Sequence, residues 1–359
     1  MKTIVQVLQH LKPGGLEVMA LNLLMFSNNK RSMKIVSLEG SAEEAMEQWP
    51  RLRPFADQLI FLNKKPGFKP SLIKQLAELF KVLDADVVHT HHIGPYFYAG
   101  LGARLAGIKV IHTEHDAWHY SNNNHKTLHK IVSTFSKPTV VADADVVAKS
   151  LGALPGMDNI QVIKNGVDTY TFLPGDKASA RAQLKLPKNG KLIGTSGRLE
   201  EVKGHCVLID AMTLLPSNTH LAIAGSGSLK EALKNQVKSL GLESRVHFLG
   251  HVENMPTFYQ SLDVFCLPSF NEGFPLAPLE AQSCGIPTAV TNVGGAVETL
   301  CQSTGTILKA GDAKDMAEKI TLLLAERHQI SPREHIIASS DIRKMAKAYD
   351  ELAEGQTND

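Results

Sequence analysis

The chain has 359 residues, 43% of them apolar and 21% charged, with a net charge of +2. That length exceeds a single core and calls for two domains of ordinary size, and the even composition excludes fibrous, low-complexity and disordered classes. The small net charge excludes an overall polyanion binder, so nucleic acid is not an expected partner. It leaves room for a local basic patch between Arg51 and Lys81, where seven Lys/Arg face only Asp57 and Glu78.

Short Val/Ile-rich runs alternate with longer stretches of helical periodicity, the pattern of parallel α/β layers. The first run, Ile4–Leu8, reads as a buried strand, and Pro13-Gly14-Gly15 breaks it before a helix starting near Leu16. MKTIVQVLQHLKPGG carries too short an apolar run for a signal peptide. Lys34–Leu38 is the next strand. Ser71–Leu83 follows as an amphipathic helix whose face Leu72, Ile73, Leu76, Leu79, Phe80 and Leu83 is expected to pack on a sheet. With Lys64, Lys65 and Lys69 ahead of it, contact with an anionic membrane surface is the second reading. Val87–Thr90, Val110–Thr113, Thr139–Ala142 and Ile160–Ile163 continue the strands, and a polar, Pro/Gly-containing stretch runs from KNGVD (Lys164–Asp168) to about Gly190. The alternation restarts at Leu192–Ser196, His220–Ala224, Val246–Leu249, Val264–Leu267 and Thr288–Val290. Two consecutive Rossmann-like units are expected, with ligand-binding residues beyond the carboxyl ends of the strands. No run approaches the ~20 apolar residues of a membrane-spanning helix. The four cysteines, Cys206, Cys266, Cys284 and Cys301, show no disulfide or zinc spacing and read as free thiols in a reducing compartment. The expected location is the cytoplasm.

Several stretches after strands carry chemistry. SGRLEEVKGH (Ser196–His205) puts Arg198 and Lys203 in one loop, where a guanidinium fork and an ammonium can clamp a diphosphate. AIAGSGSLKE (Ala222–Glu231) has Gly225-x-Gly227 but Lys230 in place of a third glycine, and the next strand ends in Gly250-His251 with no acidic ribose ligand. It is weak as a dinucleotide fingerprint and better as a turn where a ligand nears the backbone. The N-terminal half holds nine of the 15 histidines, among them VHTHH (Val88–His92) and IHTEHDAWH (Ile111–His119). Zinc spacing is lacking there, and one of these histidines is a candidate substrate contact. DADVV occurs at Asp84–Val88 and Asp143–Val147, too short for a repeat, and its Asp-x-Asp is set aside as a metal site. In SFNEGFPLAPLEAQSCGIP (Ser269–Pro287), Pro275 suits the first turn of a helix, and the amides of Gly273, Phe274 and Leu276 are placed to meet an anion. Glu272 then lies in the loop and Glu280 on the helix, two arms on either side of a ligand.

With these residues in hand the chain resembles retaining glycosyltransferases of the GT-B fold, in particular glycosyltransferase family 4. The marks are PGGLE (Pro13–Glu17), KNGVD, GRLEEVKG (Gly197–Gly204), AGSGS (Ala224–Ser228), VHFLGHV (Val246–Val252), the Glu-x7-Glu of Glu272 and Glu280, and VGG (Val293–Gly295). The resemblance implies an α/β GT-B architecture of two Rossmann-like domains facing a deep cleft. Residues 1–168 would form an acceptor-binding domain, 169–340 a domain binding the nucleotide-sugar donor, and 341–359 a C-terminal helix returning to the first domain. Hinges are expected at Asn165-Gly166 and near Ser339–Asp341.

The resemblance also implies roles. Arg198 and Lys203 hold the donor diphosphate, Glu272 meets the transferred sugar, and Glu280 meets the ribose. Gly273, Phe274, Pro275 and Leu276 form the turn at sugar and phosphates, and Gly225 lies close to the donor. Gly14 and Gly15 form the closing loop, and His115 is the histidine near the sugar. The reaction would be a retaining, front-face transfer with no cofactor and no metal. The donor would be a UDP-sugar first and GDP-mannose second. The acceptor would be a glycan or lipid-linked precursor of lipopolysaccharide, capsule or exopolysaccharide, with peripheral contact at the cytoplasmic face of the inner membrane. An NAD oxidoreductase would need the missing glycine fingerprint. A sugar-nucleotide epimerase would lack Glu-x7-Glu, and a carbohydrate-binding module would not need the two cations and two glutamates together.

Overall fold

The computed structural model describes residues 2–30, 32–154, 157, 159–326 and 330–355, with the backbone alone at His119 and Ser121. Two compact units divide it. One is Met1–Asn165 with Ile342–Asp359, the other Gly166–Asp341.

In the first unit seven parallel strands, β1 (Ile4–Leu8), β2 (Lys34–Ser37), β3 (Leu59–Phe61), β4 (Val87–His91), β5 (Lys109–Glu114), β6 (Thr139–Ala142) and β7 (Gln161–Val162), lie in the order β3-β2-β1-β4-β5-β6-β7. The order reverses between β1 and β4, and ligands of such sheets sit at that switch point, beyond the carboxyl ends. The strands are covered on both faces, so they read as continuous apolar runs. Ile4 and Leu8 of β1 join one core with Met19, Leu23, Met345 and Tyr349, while Val5 and Val7 join the other with Leu72, Leu76, Phe80 and Tyr96. The apolar face of the helix Ser71–Val82 is thereby used in the core.

The C-terminal helix Ile342–Glu354 belongs to this unit. It lays Ile342, Met345, Ala346, Tyr349 and Leu352 into the first core, each side chain worth roughly 1.5–3 kcal/mol where large and apolar. Asp350 locks it in place, accepting from Ser27 Oγ, from Asn28 N at 2.7 Å and from Asn29 Nδ2 at 3.0 Å.

The second unit repeats the topology with β8 (Lys191–Ser196), β9 (Thr219–Ala224), β10 (Val246–Gly250), β11 (Val264–Leu267), β12 (Thr288–Thr291) and β13 (Gly305–Leu308) in the order β10-β9-β8-β11-β12-β13. Its switch point lies between β8 and β11. Two strands escape sequence reading, β3 and β13. Both are edge strands of three or four residues, partly solvated. The polar stretch before Gly190 is packed structure of this unit. It forms the helix Lys177–Gln183, and Arg181, buried there, donates to Ser261 O at 2.9 Å and Asp263 Oδ2 at 2.7 Å. Where the chain enters and leaves the unit, Val167 N donates to Ser340 O at 2.9 Å and Thr169 Oγ1 to Asp341 Oδ2 at 2.7 Å.

Candidate active site

In the second unit the loops after β8 and β11 meet. Phe270 N donates to Val202 O at 2.8 Å, which holds the two loops edge to edge. From the first loop Lys203 reaches Glu272 of the second, Nζ to Oε1 at 2.7 Å, and Ser269 Oγ donates to the same oxygen at 2.6 Å. Glu272 is 8% exposed and Lys203 more open, so the pair stands at the surface of the unit with its carboxylate sunk. Arg198, in the same loop, is exposed. Its carbonyl accepts from His205 Nε2 at 3.3 Å. Burial, with Lys203 adding to it, depresses the His205 imidazole to a pKa of about 4, so that ring stays neutral.

Glu280 stands on the helix Leu276–Ser283 and accepts from Tyr259 OH at 2.6 Å, and Ser196 Oγ lies 3.2 Å from that phenol. Burial, reinforced by the Glu280 carboxylate, holds the Tyr259 pKa far above the ordinary phenol range. Pro275 does not start the helix. It is the cap residue, with extended backbone (φ −70°, ψ 135°), and the first-turn proline is Pro278. A proline there replaces an amide that has no intrahelical acceptor in any case. Phe274 is buried, while Gly273 is half-buried and accepts from Gly295 N at 2.8 Å.

Two glycines are explained by backbone crowding. Gly225 has φ 148°, and a Cβ there would stand 1.9 Å from Gly197 O; Gly294 has φ 48°, and its Cβ would stand 1.8 Å from Glu272 O. The crowding at Gly225 comes from the loop after β8, and Glu200 crosses to that turn, accepting from Ser228 N at 3.0 Å and Ser228 Oγ at 2.7 Å.

In the first unit Gly14 caps the helix Gly15–Phe26 at the carboxyl end of β1, with extended φ of −166°. A Cβ at Gly14 would meet Glu17 Oε2 at 2.3 Å, whereas nothing lies within 4 Å of one at Gly15. At the ends of β4, β5 and β6 the histidines form a buried chain. His115 Nε2 lies 3.1 Å from His91 Nδ1, and His91 Nε2 lies 3.2 Å from Gln6 Oε1. On its other side His115 Nδ1 lies 3.2 Å from Asp143 Oδ2. A second group brings His112, Glu114 and His129 within 4.8 Å of one another, a set able to hold a metal ion, with Tyr120 OH between Glu114 and His129. His129 was not visible as a partner in the sequence, because it comes from the separate helix Asn123–Ser136.

Two family models match the chain, Glycosyltransferase Family 4 over residues 13–170 and Glycosyl transferases group 1 over residues 176–341. The chain belongs to glycosyltransferase family 4. Among similar proteins is the lipopolysaccharide core biosynthesis mannosyltransferase LpsB of Rhizobium meliloti, 34% identical over 182 residues, 47% of this chain and 52% of that protein. A D-inositol 3-phosphate glycosyltransferase of Mycobacteroides abscessus is 31% identical over 268 residues, 67% of this chain and 59% of that protein. The matches thus span about half to three-fifths of these relatives. Anabaena HepE, solved with UDP and glucose, superposes with a TM-score of 0.87 at 19% identity, covering 99% of this chain and 100% of that one, which shows the GT-B fold.

Against the family pattern, the motifs locate the loops but not what steadies them. Ser269, Tyr259, Ser196 and Asp143 carry no motif signal. Tyr259 sits on the short helix Met255–Gln260 and reaches Glu280 only through packing. The Asp-x-Asp of both DADVV stretches is set aside as a metal site, yet the two copies differ in place. Asp86 of the first binds Thr3 N ahead of β4, whereas Asp143 of the second follows β6 and reaches His115. Among the described residues no helix is long and apolar enough to cross a membrane.

Proposed function

We propose that this protein transfers a sugar, with retention, from a nucleotide-sugar donor to a glycan or lipid-linked acceptor of cell-surface polysaccharide synthesis. The observation that carries the reading is the Lys203–Glu272–Ser269 hub, with Arg198 beside it and Glu280 held by Tyr259, at the switch point of the second sheet. Arg198 and Lys203 supply positive charge where a leaving diphosphate gathers it, the part a metal ion plays in other transferases, so no metal is needed. Glu272 meets the sugar and Glu280 the ribose, with Gly273, Phe274, Pro275 and Leu276 at the phosphates. In the front-face reaction the bond from the anomeric carbon to the phosphate oxygen breaks. The acceptor oxygen bonds to the same face of that carbon, and its proton passes to the departing diphosphate. Gly14, Gly15 and His115 belong to the first unit, which is assigned the acceptor and the closing of the site.

A UDP-sugar is the first donor choice, supported by the UDP and glucose held in Anabaena HepE. GDP-mannose is the second, because the Rhizobium relative is a mannosyltransferase. That relative also supports a lipopolysaccharide precursor as acceptor. A cytoplasmic location with peripheral contact at the inner membrane follows from such an acceptor and from the basic residues between Arg51 and Lys81.

The test is a thermal-shift screen with UDP, GDP and ADP, then release of nucleotide from the matching sugar donors. A selective rise in melting temperature, and release that acceptor stimulates and EDTA leaves intact, supports the reading. No response to any nucleotide overturns it, and activity lost in EDTA and restored only by Mg2+ or Mn2+ overturns its metal-free part.

A further inference from the structure

The buried chain Gln6–His91–His115–Asp143 fixes where its protons lie. Gln6 Nε2 donates to Ala20 O at 2.9 Å, so the amide cannot be turned about without setting two carbonyl oxygens against each other. Its Oε1, an acceptor only, therefore faces His91 Nε2 at 3.2 Å, and that nitrogen must carry the hydrogen. His91 is 1% exposed, and burial with the neighbouring His89 and His115 holds its pKa well below the ordinary 6.5, so it carries a single proton. His91 Nδ1 is then bare and accepts. Its partner at 3.1 Å, His115 Nε2, must be an N–H.

The last contact follows. His115 Nδ1 faces Asp143 Oδ2 at 3.2 Å, and a neutral ring already protonated at Nε2 has only a lone pair to offer a carboxylate. A second proton must lie between them, on the imidazole or on the carboxyl. Asn165 Nδ2, 3.3 Å from the same oxygen, is a donor compatible with either state. Burial pushes the Asp143 carboxyl above its ordinary range, the His115 contact opposing and Asp116 assisting. The other ionisable groups around the ring are His92, whose ring stands edge-on to His115 at 5.3 Å, and His89 behind His91, with Tyr349 beyond it.

We propose that Asp143, His91 and Gln6 are positioning residues that keep His115 loaded, protonated at Nε2 and sharing a further proton with Asp143, so that the pair is net neutral rather than singly negative. Both ring nitrogens are engaged inside the unit. His115 thus presents a ring edge, with no negative pair behind it to repel a sugar diphosphate. This deepens the transferase reading and its functional part rests on it, whereas the proton positions do not.

The experiment is 15N NMR of the histidine rings in the full chain at neutral pH, beside steady-state kinetics of sugar transfer. His115 and His91 should each show a protonated Nε2, with His91 Nδ1 bare. In Gln6→Leu, His91 should reverse to Nδ1–H and the Nε2 proton of His115 should vanish. Asp143→Asn, whose amide can donate to Nδ1, should keep His115 protonated at Nε2. A bare His115 Nε2 in the wild type overturns the proposal.

For transfer, Asp143→Leu, which leaves the ring unanchored at Nδ1, should lower kcat about tenfold with donor KM nearly unchanged, and Asp143→Asn should recover much of that loss. Unchanged kcat in Asp143→Leu, or an equal loss in Asp143→Leu and Asp143→Asn, overturns the positioning role even with the NMR pattern intact. No transfer by the wild type from any donor would instead overturn the transferase reading, and the NMR result would still decide the proton chain.

Discussion

At the residue scale, the site of the second unit depends on charges that hold one another in place. Lys203 serves Glu272 before any ligand arrives, so Lys203→Ala removes a donor contact and also leaves a buried carboxylate with Ser269 as its remaining partner. Arg198 is exposed, and on the proposed reading it serves the donor diphosphate. Each alanine variant should lose roughly 3 kcal/mol of transition-state stabilisation, on the order of a hundredfold in turnover, with Arg198→Ala melting as the wild type does. Near-normal turnover in both would remove them from the reaction. Tyr259→Phe is a finer probe. It deletes one oxygen, leaves Glu280 without the donor at 2.6 Å, and should weaken nucleoside diphosphate binding by about 1–3 kcal/mol in calorimetry. Unaltered affinity would mean that Tyr259 serves the fold and not the ribose arm.

At the element scale, glycines that look alike in sequence separate by what stands next to them. Gly15 opens the helix after β1 with nothing within 4 Å of an added Cβ, so Gly15→Val should fold and melt normally. On the proposed reading it should bind nucleoside diphosphate and lose sugar transfer, because this loop is the one assigned to closing on the donor. Equal loss of binding and transfer would make that loop part of the primary nucleotide site. Gly294 is the opposite case. Its φ of 48° and the 1.8 Å approach to Glu272 O leave no room for a methyl group. Gly294→Ala should therefore lower the melting temperature and displace Glu272, losing nucleotide binding together with stability. The motifs PGGLE and VGG announce both loops in sequence, but only the packing tells a glycine needed for approach from one needed for folding.

At the scale of the whole molecule, both units bury histidines in neutral form, which sets the direction of the pH dependence. Burial depresses His89 to about 3 and His205 to about 4. A lowered folded pKa means that the unfolded chain takes up a proton first. The stability is fully present above pH 6.5 and is lost as pH falls toward these values, by about 1.4 kcal/mol per unit for each ring. Asp143, raised by burial, works the other way with one group. The melting temperature should thus fall between pH 7 and pH 5, and His205→Gln should flatten the fall in the unit that holds the donor loops. A melting temperature constant over that range would show that these rings are hydrated or protonated in the folded protein.

The sequence by itself determined the two α/β units and the loops that carry chemistry. Continuous apolar strands, Gly/Pro breaks and the order of the motifs are local properties of the chain, and the carboxyl ends of strands are where such sheets bind. The resemblance its motifs carry also leads to the expectation that Arg198, Lys203, Glu272 and Glu280 share one site. Only the tertiary structure decided what holds them. Tyr259 reaches Glu280 across 21 residues and Lys203 reaches Glu272 across 69, and no periodicity encodes such pairs. Nor could the sequence order the histidines. His91 ends β4, His115 follows β5, Gln6 lies in β1 and Asp143 follows β6, and their proton pattern depends on which atoms lie face to face. A hydrogen bond is fixed by distance and by which partner has the proton, and both are set by the packed sheet, not by the order of residues along it.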